Sequence, residues 1–185
     1  MTPTAWVLLC VALAAIVLAA FVILQKRTKK LKSKFGPEYD RAVREQGSTI
    51  KAERELEHRE KRVHKFQIRQ LSDAECSGFA AEWRTVQERF VDDPRGAVAD
   101  ADRLVDRAMQ ARGYPIAGEF EDRAADLSVE HSVVIDHYRI AHDIAGRDGR
   151  NAASTEDLRL AMKHYRALFE DLLGRHVEET IEVKR

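Results

Sequence analysis

Glycine-rich phosphate loops are missing from this chain, as is any dinucleotide fingerprint, which removes the usual ways of cradling a nucleotide on backbone N–H groups. No Gly-x-Ser-x-Gly elbow presents a nucleophile, and Cys76-Ser77-Gly78 does not substitute for one. No run shows strand-type alternation over several segments, and no internal repeat is visible, so sheets and solenoids are excluded. Only two cysteines are present, Cys10 in an apolar run and Cys76 alone, which rules out a disulfide framework. Net charge is absent too, with 31 basic residues balancing 31 acidic ones.

That neutrality hides an asymmetry. Ala5 to Leu24 is an unbroken apolar run without charge, and Lys26, Arg27, Lys29, Lys30, Lys32 and Lys34 follow it at once. A helix rises ~1.5 Å per residue, so a twenty-residue run reaches ~30 Å, the depth of a bilayer's hydrocarbon core. A cleaved signal peptide would place its positive charge before a shorter apolar core. Here Met-Thr-Pro-Thr-Ala precedes Trp6, and the charge lies behind the run. The expectation is a single transmembrane helix acting as a signal anchor. Trp6 suits the outer interface, and Cys10 is an ordinary thiol within the span.

Positive charge stays on the cytoplasmic side, so the N-terminus is expected outside and all that follows Lys26 in the cytosol. Trp6 and the six-residue basic collar are the expected membrane-anchoring residues, and the lipid bilayer is the first expected partner. Ala12, Ala15 and Ala19 share one face of the span; close helix contact is permitted there, which leaves homo-oligomerisation open. Setting the collar aside leaves 25 basic against 31 acidic residues, a charge of about −6. Electrostatics of that sign exclude nucleic acid as an expected partner.

Beyond the collar, Gly36-Pro37 breaks any emerging helix. Glu38 to Lys65 is charged and poor in large apolar residues, with Val43, Ile50, Leu56 and Val63 spaced about a heptad apart and Gly47 as an interruption. Glu55 with Arg59 and Glu57 with Lys61 are i,i+4 pairs. The expectation is a solvated helical stalk leading into a short connector, Phe66 to Leu71.

Ser72 and Glu75 have capping-box spacing, with Phe79, Trp83, Val86 and Phe90 following at helical intervals. Trp83 is expected to anchor a core. Asp92-Asp93-Pro94 reads as a cap and a first-turn proline rather than a catalytic acid pair. Val98, Ala101, Leu104, Val105, Ala108 and Met109 mark the next apolar face, stopped by Gly113 and Pro115. A short helix is expected over Glu119 to Asp126. Another is expected from a Ser128 cap to Gly146, with Val129, Val133, Ile140 and Ile144 along one side. After a polar loop, Ser154 and Asp157 open the strongest amphipathic stripe: Leu158, Ala161, Met162, Tyr165, Leu168, Phe169 and Leu172, closed by Gly174.

The expected architecture is therefore all-α. It comprises a tail over 1–4, a transmembrane helix over 5–24 and a basic juxtamembrane segment over 25–35. A charged helical stalk with its connector spans 36–71, a bundle of about four helices spans 72–174, and a charged tail spans 175–185. Seven histidines invite a metal hypothesis, but His131, His137 and His142 are spaced by six and five. Ligands on one helix need three or four. The outer two would lie ~16 Å apart along the axis. No cofactor, metal or catalytic residue is expected.

Lys34-Phe35-Gly36-Pro37-Glu38-Tyr39-Asp40-Arg41-Ala42-Val43 and Glu88-Arg89-Phe90-Val91-Asp92-Asp93-Pro94-Arg95-Gly96-Ala97-Val98 resemble an uncharacterised family of bacterial single-pass membrane proteins, described as hypothetical or secreted. The resemblance covers most of the chain beyond the span. It implies a bacterial cytoplasmic (inner) membrane protein and brings no activity. The functional expectation is a membrane-anchored interaction or structural module with a protein partner, leaning away from an enzyme. The alternative is an enzyme or ligand-binding domain whose pocket is ringed by His137, Tyr138, His164 or Tyr165.

Overall fold

The structure, a computed structural model, describes residues 3–148 and 153–174, with side chains for residues 12–147 and 153–174. Among the described residues the chain is all-helical, with eight helices and no strand. It divides into two compact units on either side of the Leu56–Glu57 bond. The expected charged tail over 175–185 lies outside the described residues, as do the side chains of Ala5 to Val11 in the expected span.

The first unit begins with α1 (Pro3–Phe35). Among the described residues, no helix is long and apolar enough to cross a membrane. Gly36 breaks the chain at φ 47°, a left-handed conformation that costs a residue without Cβ little. Pro37 then opens α2 (Pro37–Gln46), and Gly47 closes it at φ 63°. α3 (Thr49–Val63) follows and straddles the division between the units.

The solvated stalk expected over 36–71 takes a different form. Phe35, Tyr39, Ala42, Ala52 and Leu56 are buried in the first unit. Ile50, placed on the expected heptad stripe, is 64% exposed. Gly47 resets the helical phase between Val43 and Ile50, whereas Leu56 and Val63 of the same spacing are buried; Ala42 and Ala52, small and easily passed over, complete the buried face of this stretch. Two carboxylates are buried as well, Glu38 and Glu53. Glu53 accepts hydrogen bonds from Thr28 (2.6 Å) and the Tyr39 hydroxyl (3.1 Å).

In the second unit the connector leads into α4 (Asp73–Arg89) through the expected capping box: Ser72 accepts from the Glu75 N–H, and Glu75 accepts from the Ser72 N–H. α5 (Pro94–Arg112) starts on Asp93, whose carboxylate accepts from the Gly96 N–H at 2.9 Å. Gly113 ends it at φ 96°. A Cβ there would stand 2.4 Å from the Gln67 carbonyl oxygen, so this glycine also lets the connector lie close. The Arg69 N–H donates to the Arg112 carbonyl at 2.8 Å across the same contact.

α6 (Phe120–Leu127) is short. Ser128, expected to start a helix, instead follows the end of α6, and its hydroxyl donates to the Ala125 carbonyl at 2.7 Å. Turns occupy the residues up to Val134, and α7 (Ile135–Asp148) begins later than expected and runs through Gly146. That break rotates the buried face. Ile135, Tyr138, Ala141 and Ile144 are buried, while Val133 is 78% exposed. α8 (Thr155–Leu172) has the Ser154–Asp157 capping box and buries its whole expected stripe. It packs against both α5 and α7, and α4 packs on α5. Trp83 lies in the resulting core.

Candidate functional site

The expected anchoring residues lie on α1, in the first unit. Side-chain description begins after Trp6. Lys26, Lys29, Lys30 and Lys32 are exposed, whereas Arg27 and Lys34 are half-buried. Part of the collar is therefore used within the protein. Arg27 approaches Glu53 at 3.8 Å, and the Lys32 ammonium sits 5.2 Å from the centre of the Tyr39 ring. Burial pushes the Tyr39 hydroxyl up to about 12, and its hydrogen bond to Glu53 adds to the shift.

In the second unit the three histidines of the 131–142 stretch go to three different partners. His137 meets His164 of α8, Nδ1 to Nδ1 at 2.7 Å. His142 stacks on Phe120 with ring centres 3.6 Å apart. His131 Nδ1 bonds the Asp171 carboxylate. Among the described residues no group of three or more His, Cys, Asp or Glu side chains is placed to hold a metal ion.

The His131–Asp171 pair borders a cleft of about 440 Å³. Cys76 from the first turn of α4, Arg112 from the end of α5 and Glu130 from the turn after α6 also line it. The Asp171 carboxylate requires the imidazole proton on Nδ1, which leaves Nε2 as the basic nitrogen of the neutral ring. Among the described residues that nitrogen is covered and has no hydrogen-bond partner, and His131 as a whole is 6% exposed. Cys76 is half-buried, and its thiol makes weak contacts with the Leu71 carbonyl at 4.0 Å and the Leu173 carbonyl at 3.7 Å. Tyr114 donates to Glu130 at 2.9 Å, and burial raises its hydroxyl far above the ordinary tyrosine value. Arg112 donates to the Leu172 carbonyl at 3.1 Å.

Of the four residues named for an alternative pocket, the structure makes two pairs. Tyr138 and Tyr165 are fully buried and meet edge to face, 6.4 Å between ring centres, and Tyr165 donates to Asp102 at 2.9 Å. His137 and His164 pair with each other. Burial raises the neighbouring Asp106 carboxyl above its usual range, and the Asp102 charge adds to this.

A third feature lies between α4 and α8. This groove of about 260 Å³ has a floor of Trp83, Phe90 and Met162 and a rim of Arg159, Lys163 and Arg166. Its side chains were visible in the sequence as separate helical stripes, but nothing local showed that the two stripes meet.

No family model, curated protein or solved structure matches this chain.

Proposed function

We propose that the protein is a single-pass membrane protein of a bacterial inner membrane, with its N-terminus outside, that presents a helical interaction module to the cytosol. The observation that carries this reading is the surface of α1. From Leu13 to Leu24 its large apolar side chains are exposed on every side, with Ile16 at 66% and Val17 at 65%. A helix that is apolar all round needs an apolar surrounding. The described side chains cover only the second part of the run. Ala5 to Val11 precede them in the same helix and bring the apolar length to that of a bilayer core. The basic collar at its end supports the orientation. The test is a C-terminal fusion to paired reporters, one active only in the cytosol and one only outside it. Cytosolic activity alone is the expected result; activity of the external reporter overturns the orientation.

A second reading is favoured by one observation, the Nε2 of His131, unpartnered among the described residues, beside a cleft that also holds Cys76. A small ligand with a hydrogen-bond donor would satisfy that nitrogen if the cleft opened. Thermal stabilisation of the full chain by members of a metabolite library, lost in His131→Gln, is the expected sign. A library without any stabilising member counts against it.

A further inference from the structure

The groove between α4 and α8 differs in charge from the protein that carries it. Outside the basic collar the chain bears about −6, yet among the described residues no acidic side chain lines this groove. Arg159, Lys163 and Arg166 stand at i, i+4 and i+7 on α8, one row above an apolar floor. Two of the cations have carboxylate neighbours on their own helix. Arg159 pairs with Glu156, and Arg166 bonds Glu170 at 2.6 Å. Those pairs are exposed and between near neighbours, and pairs of that kind hold a side chain weakly. Both guanidinium groups can therefore turn to another anion. In the floor, the Trp83 indole N–H is buried and has no acceptor among the described residues, and Trp83 as a whole is 6% exposed.

Resting on the reading of the bundle as an interaction module, we propose that this groove binds an acidic segment of a partner protein that inserts one large apolar side chain. The volume sets the size of the insert, because ~300–1,000 Å³ is usual for a whole small-molecule site and this groove falls below that. It suits a single anchoring side chain of the kind that dominates an interface. The cationic rim selects carboxylates on either side of that anchor. An anionic bilayer surface fits less well. It is flat where the groove is concave.

The full chain, labelled with ¹⁵N-tryptophan and held in zwitterionic micelles, reports on the groove directly. Its two tryptophans are Trp6 and Trp83, so Trp83 has its own indole signal and Trp6 serves as an internal reference. The probe is the capped pentapeptide Glu-Glu-Phe-Glu-Glu. The expected result is a saturable shift of the Trp83 signal alone. Charge reversal in Arg159→Glu/Lys163→Glu/Arg166→Glu should weaken binding by about tenfold or more, with the Trp83 signal of the free protein retained as evidence of folding. No saturable shift, or an equal response to Lys-Lys-Phe-Lys-Lys, overturns the proposal. So does a shift produced by phosphatidylglycerol bicelles without peptide, which would assign the face to lipid. Retention of the same chain in the membrane fraction is scored separately, so failure of the anchor and failure of the groove read differently.

Discussion

The indole of Trp83 lies nearly parallel to the ring of Phe169, with centres 4.8 Å apart and planes 20° apart. This stack joins α4 to α8 within the hydrophobic core, and Trp83 also lines the groove. Removing the indole leaves a cavity that neighbouring helices fill only in part. Trp83→Ala should cost ~3–5 kcal/mol. Urea unfolding of the second unit, followed by circular dichroism, checks this; a loss under ~1 kcal/mol would place Trp83 outside the core.

Gly113 and Gly78 should respond to alanine in opposite directions. Gly113 sits at φ 96° with the Gln67 carbonyl where a Cβ would go, so Gly113→Ala is strained twice over. Gly78 lies inside α4 with open space around its Cα, so Gly78→Ala should stabilise by ~0.5–1 kcal/mol. Melting temperatures of the two variants against the parent provide the measurement.

The Ser154 hydroxyl accepts from the Asp157 N–H at 3.1 Å, while Asp157 accepts from the Ser154 N–H at 2.9 Å. Ser154→Ala should cost ~1 kcal/mol. Amide exchange should accelerate first at the start of α8, and unchanged protection there would contradict the cap's role.

His164 provides a pH dependence. Burial lowers its imidazole below the ordinary histidine value, and the neighbouring His137 lowers it further. The unfolded chain therefore binds this proton more readily than the folded one. Stability is held above the ordinary histidine value of 6.5 and declines as the pH falls below it, until the folded form is protonated as well. In His164→Gln, melting temperature plotted from pH 8 to 5 should fall less steeply than in the parent. Parallel curves would exclude the pair as a contributor.

These readings differ in how far local sequence could reveal them. Capping boxes and the faces of α5 and α8 were legible because each depends on residues within one or two turns. The start of α7 was not, because Ser128 has a cap's chemistry but spends its hydroxyl backward on Ala125. The buried face within 36–56 was hidden by a stalk-like composition, because Ala42 and Ala52 bury little surface each, and Glu38 and Glu53 disguise a core as a polar surface. His131 with Asp171 and Tyr165 with Asp102 are separated by 40 and 63 residues. Such pairs are set by helix packing, and no spacing rule marks them. The groove between α4 and α8 is hidden for the same reason.

Alkaline carbonate extraction of bacterial membranes containing the full chain tests the central claim most directly. Exposed apolar side chains around α1, continued by Ala5 to Val11, predict that the chain stays in the membrane pellet, and that Val17→Arg/Leu18→Arg releases it. Release of the unaltered chain into the supernatant would contradict the anchor.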